Sequence, residues 1–279
     1  MKKWTKTALL TGCACCIAGA VLTFSGWASG GKAYAETYDL NAMSGSAKKE
    51  DGISTQEKIK LDDFDELQAD LTIGDLNIIL PSGDDSCYLA WRIPSKKGET
   101  AVEYRVRDGV LSIEETSAVS DTIYINIDFT EEILSGGKQS ETGVILYVPE
   151  KKVLKKIEVT MGFGDVQMNG IQAESGRLQN ADGDITLFGC DMQNIKCKAD
   201  YGDVELKSGT WENGSITLED GDAKIQNTKL SGDVSVENSY GDIELELGKK
   251  DLERLEITAK TDFGEIDVPD TMENLMQKE

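Results

Sequence analysis

The sequence predicts an all-β fold: a β-solenoid-like stack of two-strand repeats of 19–23 residues, preceded by irregular β-strands and an N-terminal apolar helix. Three observations predict it. The first is a repeated corner. Gly164-Asp165-Val166, Gly183-Asp184-Ile185, Gly202-Asp203-Val204, Gly221-Asp222-Ala223 and Gly241-Asp242-Ile243 recur at steps of 19, 19, 19 and 20 residues, and an altered copy, Gly264-Glu265-Ile266, follows after 23. A repeat this short cannot bury its own apolar face, so neighbours must stack to make a core. The second is alternation. Val166/Met168, Ile185/Leu187, Val204/Leu206, Ala223/Ile225 and Ile243/Leu245 follow the corners. Leu178, Ile195/Cys197, Ile216/Leu218, Val234/Val236 and Leu255/Ile257 precede the next ones, all interleaved with polar residues. A period of 2 means strands with one face in and one face out. The third is Arg107-Asp108-Gly109 between the alternating runs 101–106 and 110–113, a hairpin signal.

Taken in order, Lys2, Lys3 and Lys6 precede a largely apolar run over residues 8–28, long enough to cross a bilayer as a helix. Residues 1–30 are therefore expected to be a transmembrane anchor or a signal segment. The positive end stays in the cytoplasm and the rest of the chain lies outside. Cleavage after Ala35, in the small-x-small pattern Ala33-Tyr34-Ala35, is the competing reading and gives a secreted protein. Leu10-Thr11-Gly12-Cys13 matches a lipoprotein box by letters but follows too few apolar residues. Residues 31–57 are polar and read as a flexible linker.

Residues 58–160 read as an irregular β region. It holds an early corner copy at Gly74-Asp75-Leu76, strands over 88–93, 122–129 and 144–148, a loop over 131–140, and a basic stretch over 151–156. The register locks over 161–269. Residues 270–279 are a C-terminal cap or tail, with Met272, Leu275 and Met276 at helical spacing after Asp270.

At each corner, Gly164, Gly183, Gly202, Gly221, Gly241 and Gly264 are expected to permit positive φ or close backbone approach. The aspartate that follows is expected to close an Asx turn on the backbone two residues on. If the rungs stack in register, Asp165, Asp184, Asp203, Asp222 and Asp242 lie about 4.8 Å apart. Like charges so close need solvent or a counter-ion, which makes these carboxylates weak candidates for calcium. No other cofactor is expected. The residues before the corners include Phe163, Tyr201, Tyr240 and Phe263, alternating with Asp182 and Asp220. With Trp211 they form a candidate binding strip of rings and carboxylates for a glycan, a protein or a basic peptide.

The chain has no histidine, which removes the commonest general base and metal ligand. A polysaccharide-active enzyme on a β-helix would need clustered Asp, Arg or Lys, but the repeats offer only Arg177 and Arg254, far apart. No enzyme is expected. Of six cysteines, Cys13, Cys15 and Cys16 sit in the apolar segment; Cys87, Cys190 and Cys197 belong to the domain, where a Cys190–Cys197 bridge or buried thiols are the alternatives. There are 51 acids and 29 bases, net −22; four bases precede Glu36, where there are no acids, so the remainder carries 25 bases against 51 acids, or −26. That surface repels nucleic acid and attracts cations and basic peptides.

Val144-Ile145-Leu146-Tyr147-Val148-Pro149, then Leu154, Ile157 and Val159 leading into Gly164-Asp165-Val166, and the recurring Gly-Asp-[Ile/Val], together resemble a bacterial adhesin-type domain family of unknown function built from β-strand repeats. The resemblance spans roughly residues 60–268. The basic N-terminus, single apolar span and glycines before the linker are similar to membrane-anchored Gram-positive members. It implies an extracytoplasmic, β-solenoid-like domain for adhesion or cell-envelope interaction and supplies no catalytic residues. A link of such proteins with envelope-stress systems gives the alternative, a sensor or decoy for cationic peptides.

Overall fold

Alternating side chains in a parallel stack must line up rung over rung, and the chain does this on three sides. The computed structural model describes residues 51–81, 85–96, 99–116, 142–247, 255–268 and 277–278. The apolar segment, the strand read over 122–129, the loop over 131–140 and the helical spacing near Met272 lie outside the described residues. Those described belong to one unit, Asp51–Val119 with Glu132–Glu279. They are strands and turns, without a helix, and form a β-solenoid.

The first face holds the strands that lead into each corner. Glu66–Ile73, Lys156–Phe163, Gly176–Asp182, residues 195–201 and 214–220, then Lys229–Tyr240 and Leu255–Phe263, pair in parallel, one above the next. Their inward positions form columns, and one reads Ala69, Val159, Leu178, Cys197, Ile216, Val236 and Ala259, all buried. The second face holds the strands after each corner, Asp75–Ile79, Val166–Asn169, residues 185–188 and 204–207, Ala223–Gln226, Ile243–Glu246 and Ile266–Asp267. It contributes Leu76, Val166, Ile185, Val204, Ala223 and Ile243, each buried.

The expected two-strand repeat has a third, short strand. Val153–Leu154, Gln172–Ala173 and residues 191–192, 210–211 and 229–230 pair in parallel along a third face. Each gives the core one side chain: Leu154, Ala173, Met192, Trp211 and Leu230. Two residues with one apolar position leave no periodic signal, so this strand reads as a turn in the sequence.

The described strands of the irregular region, residues 58–160, are part of the same stack. Gly74 and Gly164 are consecutive corners although 90 residues separate them, because Glu66–Ile73 and Asp75–Ile79 lie in register on Lys156–Phe163 and Val166–Asn169. Much of the intervening chain closes the end. Val110–Glu115 adds in parallel to the first face and carries Val102–Arg107 antiparallel. Gly143–Tyr147 adds in parallel to the second, followed by Tyr88–Lys96 and Asp51–Lys60, both antiparallel. Glu115 Oε2 accepts the N–H groups of Thr72 and Ile73 at 2.7 and 2.8 Å.

One boundary moves. Asp51–Lys60 is a strand, so residues 51–57 of the stretch read as a linker over 31–57 belong to the sheet. Its outward Ile53 is 53% exposed, while the half-buried Ser54 takes hydrogen bonds from Trp91 Nε1 and Ala101 N. An apolar residue outside and a serine inside invert the pattern that marks a strand. At the far end, Gln277–Lys278 pairs in parallel with Thr258 and Ala259, so the tail adds to the first face.

The corners set the rung spacing. Gly164, Gly183, Gly202, Gly221 and Gly241 have φ between +123° and +142°. A Cβ on any of them would lie under 3.0 Å from the carbonyl oxygen of the corner glycine one rung earlier, and so would one on Gly264. Both conformation and space demand glycine. Gly202→Val should therefore cost about 3 kcal/mol or more, from backbone strain together with overpacking. Gly189→Ala, at φ +61° with open space around it, should cost about 1 kcal/mol. Equal denaturant midpoints for the two variants would contradict the corner account.

Candidate functional site

The corners bring three backbone donors together, and each finds a partner on a neighbouring rung. Gly183 N donates to Tyr201 O at 2.9 Å, Gly202 N to Asp220 O at 3.0 Å and Gly221 N to Tyr240 O at 3.0 Å. Two residues on, Ile185 N donates to Asp203 O and Val204 N to Asp222 O, both at 2.9 Å. The N–H between them turns the other way. Asp165 N donates to Asp75 Oδ1 at 3.0 Å, Asp184 N to Asp165 Oδ1 at 2.9 Å, Asp203 N to Asp184 Oδ1 at 2.8 Å and Asp222 N to Asp203 Oδ1 at 2.8 Å. Asp242 N to Asp222 Oδ1 and Glu265 N to Asp242 Oδ1 complete the ladder at 2.9 and 2.8 Å.

The expected Asx turn is thus replaced by a bond between rungs. Each carboxylate caps a donor that would otherwise point at its predecessor unpaired. Among the described residues, no group of three or more Cys, Asp or Glu is placed to hold a metal ion.

Just before the corners, pairing places Ile73, Phe163, Asp182, Tyr201, Asp220, Tyr240 and Phe263 in one column. The rings point out: Phe163 is 53% exposed, Tyr201 60%, Tyr240 55% and Phe263 66%. Tyr240 and Phe263 stack with centroids 5.0 Å apart and planes 3° from parallel. The four rings therefore line one exposed column, at alternate rungs from Phe163 to Tyr240 with Asp182 and Asp220 between them, and with Phe263 on the rung next to Tyr240. Trp211 does not join it. It is 2% exposed on the inward side of the third face. Gly214 leaves room for its indole, since a Cβ there would collide with Trp211 Nε1 and Cε2.

The flank of the column is also acidic, and Lys198 and Lys260 on it are held in ion pairs. Lys198 pairs with Asp200 and, at 3.4 Å, with Glu219; Lys260 pairs with Asp262 at 3.8 Å. The hydrogen bond to Asp200 is the main reason the Lys198 ammonium is held above its usual range. Among the described residues, these ion pairs leave out Asp182 and Asp220, and the second oxygens of the corner aspartates take no part in the rung ladder.

Two further arrangements had no signal in the sequence. Lys58 Nζ lies 4.3 Å from the Tyr88 ring centroid and 4.1 Å from that of Tyr147, which fastens the strand Asp51–Lys60 to the second face. An open cleft of about 380 Å³ between Asp63, Cys87 and Lys151 balances lysines against aspartates, and Lys152 Nζ bonds Asp63 Oδ1 there at 2.6 Å. Arg177 stands on the outward side of the first face, and Arg254 lies outside the described residues.

Cys87, Cys190 and Cys197 are free, buried thiols, so Cys190 and Cys197 do not pair. Burial pushes the Cys190 thiol up to about 11 and that of Cys197 up to about 12.

A family model described as Toastrack DUF4097 matches residues 85–279. No curated protein is significantly similar to the chain. Among solved structures it is similar to a provisionally named cell adhesion protein from Clostridium sporogenes, at 14% identity and TM-score 0.35, over 83% of this chain and 100% of that one. It is similar to a provisionally named adhesin from Parabacteroides distasonis, at 16% identity and TM-score 0.35, over 82% and 93%. A provisionally named lipid-binding protein from the same species gives 14% identity and TM-score 0.28, over 78% and 94%.

Two outcomes are expected. Asp203→Ala removes the acceptor for Asp222 N and should cost about 1–2 kcal/mol, whereas Asp203→Asn keeps an oxygen there and should cost less; a thermal melt that ranks Asn below Ala would contradict the ladder. The Cys197 thiol is held above its ordinary value of 9.0 at about 12, so the neutral thiol is the folded form. Its contribution is complete below pH 9.0, and is lost as the unfolded chain ionises above it, up to about 12. Denaturation midpoints measured across that range should fall less steeply for Cys197→Ala than for the parent chain.

Proposed function

The chain belongs to the Toastrack DUF4097 family, and we propose from that premise that it is a non-catalytic cell-envelope binding module that presents its corner column to a partner outside the cytoplasmic membrane. Residues 1–30 serve as the anchor and residues 31–50 as the tether in this reading. One observation carries it: four large rings stand exposed in register on a rigid ridge, each more than half open to solvent. Exposed rings aligned on a packed scaffold need a reason, because they contribute little to folding there and offer a preformed contact surface. The missing histidine, the ion-paired Lys198 and Lys260 beside the column, and the thiols withdrawn by burial agree with binding rather than turnover.

The test is retention of the full-length protein, held in detergent micelles through residues 1–30, on cell envelopes stripped of membrane. A variant with Phe163, Tyr201, Tyr240 and Phe263 all changed to Ala should melt like the parent and bind roughly tenfold more weakly or worse. Retention unaffected by loss of all four rings would show that the column is not the contact surface.

A further inference from the structure

The column's period selects its ligand. Adjacent rungs are ~4.8 Å apart, so rings at alternate rungs recur every ~9.6 Å. Phe163, Tyr201 and Tyr240 follow that period, with Asp182 and Asp220 half a period between them. An extended peptide strand presents same-face side chains every ~6.7 Å and falls out of step at the first ring. An α-helix turns every ~5.4 Å, and two turns overshoot each ring by more than 1 Å. A polyproline II helix advances ~9.3 Å per turn of three residues. From Phe163 to Tyr240 its two turns cover ~18.6 Å against ~19.2 Å for four rungs, a mismatch well within side-chain adjustment.

Resting on the reading of the column as the contact surface, we propose that it seats a basic, proline-rich segment in polyproline II conformation, with one cationic side chain per turn. One edge of that helix lays its rings of proline on Phe163, Tyr201 and Tyr240. The cation on each turn meets Asp182 or Asp220, which are left out of the ion pairs that occupy Lys198 and Lys260. Its backbone carbonyls have no internal partners and can accept from the hydroxyls of Tyr201 and Tyr240. Pre-formed on both sides, such a pairing sacrifices little conformational entropy. The stacked Tyr240–Phe263 pair ends the seat with a flat, rigid platform. The net charge of −26 beyond residue 35 draws a cationic ligand in, and the period sorts it from other cations.

The experiment is fluorescence polarisation on the full-length protein at about 0.15 M salt, where bare charge attraction is screened. The probes are a labelled peptide of repeated Pro-Pro-Arg, a flexible Gly-Ser-Arg peptide of equal length and charge, and a neutral β-linked glucose oligosaccharide. The Pro-Pro-Arg peptide should bind roughly tenfold tighter than the flexible one. Tyr201→Ala with Tyr240→Ala, and separately Asp182→Asn with Asp220→Asn, should each reduce its binding about tenfold, the second pair without removing any ring. Equal binding of the two basic peptides, no binding of either, indifference to the variants, or binding of the oligosaccharide in their place would overturn the proposal. If the four-ring variant loses envelope retention while Pro-Pro-Arg does not bind, the contact surface stands and this partner class is wrong; if retention is also unchanged, both fall.

Discussion

Everything in this domain depends on how closely one corner backbone can lie on the next. The corner glycines of successive rungs leave no room for a Cβ against the preceding glycine carbonyl, and most of them have a φ that other residues resist. That contact holds the strands before and after each corner at one spacing, so both faces keep their register from Gly74 to Gly264. A core only a few side chains wide is stable under that condition alone, because each buried column is continuous only while no rung slips. A one-residue slip would turn Val159, Leu178 and Cys197 outward together.

The same contact produces the surface. A residue directly before such a corner cannot point into the core, so it is displayed, and the stack lines up these residues into a ridge. The aspartate directly after it is drawn into a backbone bond one rung on. Corner acids are thereby built into the frame, while the acids between the rings remain on the ridge. The chain thus separates carboxylates that hold the stack from carboxylates that face a partner by one step on either side of a glycine.

Much of this was legible in the sequence. Glycine is demanded at every rung, so the Gly-Asp period could be read directly, and with it the solenoid and the column from Phe163 to Phe263. The third strand was not legible because it carries one apolar residue per rung. The bond that Asp203 N donates to Asp184 Oδ1 reads as a local turn in the sequence, since spacing within a repeat does not say whether the acceptor serves its own rung or the next. Trp211 reads with the rings of the strip in the sequence, but Gly214 opens a place for it inside. The early corner at Gly74-Asp75 could be seen, while its seat on Gly164 across 90 residues could not.

A distance across the ridge tests the central claim most directly. Spin labels at Phe163→Cys and Tyr240→Cys, in a chain whose native cysteines are replaced by alanine, should report backbone positions four rungs apart, or about 19 Å, in one narrow distribution. A broad distribution, or one centred beyond about 30 Å, would contradict a stack held in register by its corners.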